Sequence, residues 1–69
     1  MRILLSIAPQ DIDFLTRVME GYDGLGIVST IDPQRGLVGI RVTPDTREEV
    51  LEILSHFPRP LTIQGETAE

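Results

Sequence analysis

The chain contains no cysteine, no tryptophan and no lysine, and its only histidine is His56. Without cysteine it can form neither a disulfide bond nor a thiolate metal site, and one histidine is too few for a histidine-cluster metal site. We therefore predict no bound metal and no other cofactor. The stability of so small a chain then depends on an efficient core or on self-association.

Basic residues are also scarce. Eleven acidic side chains outnumber six arginines among the 69 residues, which gives a net charge of −5. Nucleic-acid affinity depends on neutralising phosphates, and attraction to anionic membranes depends on basic clusters. The composition therefore predicts neither a nucleic acid nor a membrane as partner.

No long hydrophobic run is present either. A bilayer-spanning helix needs ~20 apolar residues, and the first residues, MRILLSIAP, lack the longer apolar stretch and the cleavage site of a signal peptide. We expect a cytoplasmic protein of bacterial type. It has one domain over residues 1–65, followed by a frayed polar tail over 66–69.

Two periodicities divide the chain into six elements. Apolar residues alternate where strands are predicted and recur at helical spacing where helices are predicted. The predicted strands are 2–7, 25–31, 37–42 and 61–64, and the predicted helices are 10–22 and a segment that follows Thr43–Thr46 and stops before Pro58. The order strand–helix–strand–strand–helix–strand is the split βαβ pattern.

With right-handed crossovers, this order predicts an α+β ferredoxin-like sandwich. The four-stranded antiparallel sheet has the order 4-1-3-2, and both helices cover one face. Between the second and third strands, Gly36 can take the positive φ that ends a hairpin loop. Pairing Asp32 with Leu37 then turns Ile27 and Ile31 toward the helices.

The other sheet face is left open by this arrangement. The residues predicted on it are Arg2, Leu4, Ser6, Val28, Thr30, Leu37, Gly39, Arg41, Thr62 and Gln64. Leu4, Val28 and Leu37 are aliphatic, and the small Gly39 would let another chain approach. We therefore expect these four residues to form the interface of a homodimer, with the exposed sheet edges as the alternative interface.

The element order and the segment Leu25–Val28 resemble the ACT-like branch of the ferredoxin-like fold. The segments MEGYDG, DPQRG and VTPDTREEVLEIL resemble a family of short uncharacterised bacterial proteins. The ACT resemblance implies that an amino acid or another small effector binds where the loop after the first strand meets an edge strand of a neighbour. On this chain the implied residues are Pro9, Gln10, Asp11, Ile27 and Val28, although the usual glycine after the proline is missing; a plain helix cap is the alternative.

Two further groups are candidates for chemistry. Arg2 and Arg41 should be neighbours on the open face, where they could hold an anion or pair with Glu66 or an acid of a partner. His56 lies late in the second helix, where a cation is favoured by the dipole, and no nucleophile is arranged with it in the sequence.

The marks of known catalytic or nucleic-acid-binding relatives of this fold are absent. The chain has no arginine in a glycine-rich first loop, no Cys-x-x-Cys pair and no aromatic residue on the central strands. We predict no catalytic residue. The expected function is a non-enzymatic, homo-oligomeric regulatory or interaction module that binds a small effector at a subunit interface; the alternative is an enzyme that uses the arginine pair or His56.

Overall fold

The computed structural model describes residues 1–22 and 24–68 of the chain. Its elements alternate between strands and helices in the predicted order. They are β1 (Arg2–Ile7), a 3-10 turn (Pro9–Asp11), α1 (Ile12–Glu20), β2 (Ile27–Asp32), β3 (Leu37–Arg41), α2 (Arg47–Ser55) and β4 (Leu61–Thr67).

The strands form one antiparallel sheet in the order β2-β3-β1-β4, which confirms the predicted α+β ferredoxin-like arrangement. Both helices lie on the same face, because their buried residues join a single cluster with those of the sheet. Leu5 and Ile40 are at its centre and are fully buried. The whole cluster consists of Ile3, Leu5, Ile7, Leu15, Met19, Val38, Ile40, Val42, Val50 and Leu54.

The register of the β2–β3 hairpin differs from the prediction. Asp32 pairs with Leu37 as predicted, but the pairing then skips Ile31, which forms a β-bulge. Val28 therefore lies opposite Ile40 and packs against the core. The predicted placement of Val28 on the open face is wrong, since an extra residue in one strand reverses the side-chain alternation beyond it.

The faces of the other β2 residues are reversed too. Thr30 lies opposite the buried Val38, on the helix side, rather than on the open face. Ile27 and Ile31 were predicted to point at the helices, but they are 67% and 44% exposed and lie on the open face.

Contacts at the two ends of β2 fix registers against β3 that differ by one residue. At its start, Gly26 passes so close to β3 that a Cβ there would lie 2.9 Å from Cγ2 of Ile40. At its end, the Oδ1 atom of Asp32 accepts hydrogen bonds from the backbone N–H groups of Gln34 and Arg35, at 3.1 and 3.3 Å. The segment between these points has one residue more than regular pairing can use, and a bulge accommodates it.

The fourth strand is longer than predicted. It runs to Thr67 instead of ending at Gln64, so the first two residues of the expected tail belong to the sheet, while Glu69 lies outside the described residues. Glu66 points to the helix side, where its carboxylate accepts hydrogen bonds from the guanidinium of Arg47 at 2.6 and 2.7 Å. This two-bond contact between the start of α2 and the end of β4 explains why the strand continues.

Candidate functional site

The open sheet face is the side of the sheet that the two helices leave uncovered. We use this name for the strand side chains on the side away from the helices: Arg2, Leu4, Ser6, Ile27, Ser29, Ile31, Leu37, Gly39, Arg41, Thr62, Gln64, Gly65 and Thr67. Of the predicted interface residues, Leu4 and Leu37 are half-buried on this face. Gly39 is buried on it, and Val28 is not part of it.

The bulge makes the open sheet face more apolar than predicted. It replaces Val28 and Thr30 by Ile27 and Ile31, and these two isoleucines are among the most exposed large hydrophobic residues described. With Leu4, the face carries aliphatic side chains on three of its four strands. Contiguous exposed apolar patches larger than a few hundred Å² mark interaction sites on soluble proteins, which makes this face the candidate surface.

The charge of the open sheet face is opposite to that of the chain. Its cations are Arg2 and Arg41, and the strand residues on it include no glutamate. The single aspartate at its end, Asp32, is already engaged by the hairpin loop, where it also lies 3.7 Å from the guanidinium of Arg35. The acidic excess of the described residues thus lies away from this face.

Arg2 and Arg41 are direct cross-strand neighbours, as predicted. Met1 and Val42 exchange both backbone hydrogen bonds, at 2.9 and 3.3 Å. The next pair, Arg2 with Arg41, is therefore a non-hydrogen-bonded pair, in which the side chains start closest together. Glu66 does not neutralise them, because it is bound to Arg47 on the other side of the sheet.

The side chain of Arg2 lies flat on the sheet. A Cβ on Gly39 would meet Cδ and Cγ of Arg2 at 2.8 and 3.1 Å and Cδ1 of Ile31 at 3.3 Å. The glycine thus leaves a trough that these side chains fill, which is why it is buried. The Nε atom of Arg2 is itself buried and has no hydrogen-bond partner among the described residues.

A hollow of about 320 Å³ adjoins Arg41 at the same end of the sheet. Its walls combine apolar side chains with backbone exposed by glycine. It is lined by Gly24, Leu25, Gly26, Ile27, Arg41, Val42 and Thr43. No signal in the sequence singled out this hollow, because it depends on the outward orientation of Ile27 that the bulge produces.

The residues implied by the ACT resemblance are not together in one chain. Pro9, Gln10 and Asp11 form the 3-10 turn after β1, next to the hairpin end of the sheet. Ile27 and Val28 begin β2, which runs parallel to β1, so they lie about 15 Å away at the other end of the strands. The carboxylate of Asp11 is only 16% exposed and is 3.9 Å from the guanidinium of Arg59.

His56 lies at the exposed end of α2. Its Nδ1 atom is 3.2 Å from the hydroxyl of Ser55 and 3.4 Å from the carboxylate of Glu52. Because both neighbours approach the same ring nitrogen, the imidazole cannot relay a proton from the serine to the acid as a catalytic triad does. A groove of about 290 Å³ between the ends of α1 and α2 borders this histidine and Tyr22.

Metal and membrane sites are not found in the described part of the chain. No group of three or more His, Cys, Asp or Glu side chains is placed to hold a metal ion among residues 1–22 and 24–68. No helix in these ranges has the length and apolar character needed to cross a bilayer.

Comparison with known proteins gives one result. No curated protein shows a significant match to the chain. No solved structure shows a significant match either. A family model described as a domain of unknown function, DUF4911, matches residues 5–60. Because this match covers most of the chain, the protein belongs to the DUF4911 family.

Proposed function

We propose that this chain is a non-enzymatic interaction module that forms a homodimer through the open sheet face. The observation that carries the proposal is the apolar character of that face, where Ile27 and Ile31 are 67% and 44% exposed beside Leu4. A chain of 69 residues without disulfide or metal has a small core, and burying these side chains against a second copy adds to it.

The charges favour one orientation of the two copies. If the strands of the two copies ran in the same direction, Arg2 and Arg41 of each would meet, and four guanidinium groups would repel one another. A two-fold axis across the strands instead brings Arg41 of one copy toward the hairpin of the other, where Asp32 stands. The dimer we propose has this second orientation.

The effector implied by the ACT resemblance is compatible with such a dimer. Within one copy, Pro9–Asp11 and Ile27 lie at opposite ends of the sheet, and the proposed two-fold axis brings the turn of one copy toward Ile27 of the other. Binding of an amino acid or a related small molecule would then require the dimer. The cytoplasmic location and the bacterial origin expected from the sequence stay predictions.

Sedimentation analysis from micromolar to millimolar concentration tests the dimer. The decisive variant is Leu4→Glu, which places a carboxylate at the centre of the face. In the monomer the new charge stands near Arg2 and remains solvated, so the fold should survive. In the dimer it would be buried, and we expect association to weaken about 100-fold, the effect of losing a central contact residue.

Ile63→Glu is the matched control, because Ile63 is 42% exposed on edge strand β4 but is paired with the core residue Leu5, on the helix side. This variant should keep the dimer of the unmodified chain. A chain that is monomeric at every concentration would refute the proposal. A dimer that survives Leu4→Glu but is lost with changes at β2 or β4 would move the interface to a sheet edge.

The enzyme alternative has less support. The contacts of His56 do not form a proton relay, and its side chain is 75% exposed. The arginine pair can bind an anion but supplies neither a nucleophile nor a general base, since a guanidinium stays protonated.

A further inference from the structure

We infer that Arg2 and Arg41 form a binding site for the carboxylate of a small aliphatic acid whose hydrocarbon part lies in the hollow beside Arg41. This site goes beyond the proposed dimer, because all of its residues belong to one chain and it is complete in the monomer. It is also distinct from the residues implied by the ACT resemblance at the turn after β1.

The electrostatics of the pair call for an anion. Two like charges directly opposite each other on neighbouring strands destabilise a sheet, and here they occupy the close, non-hydrogen-bonded type of pair. Neither arginine has a hydrogen bond or an ion pair among the described residues. An anion between them would remove the repulsion and accept hydrogen bonds from both guanidinium groups.

The buried Nε atom of Arg2 is the second observation. A buried donor without an acceptor is costly, and most such groups in native proteins are satisfied by a protein atom, a water or a ligand. Gly39 creates this geometry, because any side chain there would push the Arg2 stem off the sheet. Because this Nε atom has almost no accessible surface, an anion would contact the outer N–H groups of the Arg2 guanidinium, and Nε–H would gain a partner only if the stem lifts from Gly39.

The surroundings select the rest of the ligand. The hollow of about 320 Å³ next to Arg41 includes the apolar side chains of Leu25 and Ile27, and Ile27 is 67% exposed. Ligand sites typically combine such apolar walls with a few polar groups that fix orientation. Its volume, at the small end of the usual range, fits a short aliphatic chain better than a nucleotide.

Nuclear magnetic resonance titration with sodium hexanoate tests this site, with chloride used to keep the ionic strength constant. We expect saturable shifts of the Nε–H signal of Arg2 and of backbone signals at Gly26 and Ile27. Acetate should bind at least about tenfold more weakly than hexanoate, because it lacks the methylene groups that enter the hollow. Inorganic phosphate should bind more weakly than hexanoate.

Arg41→Gln and Arg2→Gln should each weaken hexanoate binding about tenfold or more, the usual effect of losing a hydrogen bond from a charged group. Arg17→Gln is the matched control, since Arg17 is exposed on α1, away from the sheet face. Equal effects of all three variants would overturn the site, as would no saturable shift or a preference for phosphate. The proposed dimer would cover Arg2, Arg41 and Ile27, so the titration is run at concentrations where sedimentation shows a monomer, and its result there does not depend on whether the chain dimerises.

Discussion

Two glycines with the same backbone conformation offer a direct test of how the hairpin is attached to the sheet. Gly36 and Gly24 have φ values of 70° and 78°, which cost an L-residue about 1–2 kcal/mol. They differ in their surroundings. A Cβ on Gly24 would meet no atom within 4 Å, whereas a Cβ on Gly36 would overlap the carbonyl oxygen of Ile7.

The substitution Gly24→Ala should therefore cost only the backbone term, reduced by the ~0.4–1 kcal/mol that alanine saves in the unfolded chain. In Gly36→Ala the new methyl group must also push β1 and the hairpin apart. This movement breaks the 2.9 Å hydrogen bond from the backbone N–H of Ile7 to the carbonyl of Gly36, which adds about 0.5–1.5 kcal/mol, and it disturbs the packing of Ile7 in the core. We expect a total of about 2–4 kcal/mol.

Urea unfolding followed by far-ultraviolet circular dichroism measures both variants, since the chain has no tryptophan to report by fluorescence. With a slope near 1 kcal/mol per molar urea for a small domain, the midpoint should fall by about 2–4 M in Gly36→Ala. In Gly24→Ala it should fall by ~1 M or less. Equal midpoints for the two variants would show that the hairpin does not lie against β1 as described.

Three further predictions test the core, the end of the sheet and the bulge. Leu5→Ala, at a fully buried position, should lower the free energy of unfolding by about 2–5 kcal/mol in urea titrations; a near-normal midpoint would contradict the fold. Hydrogen bonds from Arg47 hold the pKa of Glu66 below its usual value, so they stabilise the fold above the unfolded-state pKa of about 4.3 and the effect is lost as pH falls through the lowered pKa. In Arg47→Met, the melting temperature should no longer fall in this acidic pH range for want of the contact. An unchanged dependence of the melting temperature on pH would exclude the contact. Val28→Asn should cost about 2 kcal/mol or more by placing an amide against the core, whereas Ile27→Asn should change stability by less than ~0.5 kcal/mol at low concentration; the reverse order would restore the unbulged register.

The sequence alone predicts the fold because each level of the pattern supports the same arrangement. Strand and helix periods alternate in an order that only a few topologies can accommodate, and the right-handed crossover rule leaves one sheet order among them. The central strands illustrate this agreement. Their buried residues Ile3, Leu5, Val38 and Ile40 alternate without interruption, and the structure buries all four. Errors are confined to positions where a single contact overrides the pattern.

The edge strand β2 is such a position. Period-two alternation assumes that each residue of β2 pairs with one residue of β3. Under this assumption the apolar pattern allows Ile27 and Ile31 on the core side just as well as it allows Val28 there. The observed register depends on Gly26. Only a residue without a Cβ atom can approach Ile40 this closely. That contact joins segments distant in the sequence, and no local period reports it.

The candidate site also has one part that the sequence pattern predicts and one part that it does not. The pairing of Arg2 with Arg41 could be predicted, because it needs only the antiparallel order of two central strands and their apolar pattern. The hollow beside Arg41 could not, because it exists only when Ile27 points outward. The bulge therefore bears on both proposals as well as on the structure. It turns Ile27 outward beside Arg41, which has no ion pair within residues 1–22 and 24–68, and so gives the open sheet face the combination of apolar surface and positive charge from which both proposed interactions derive.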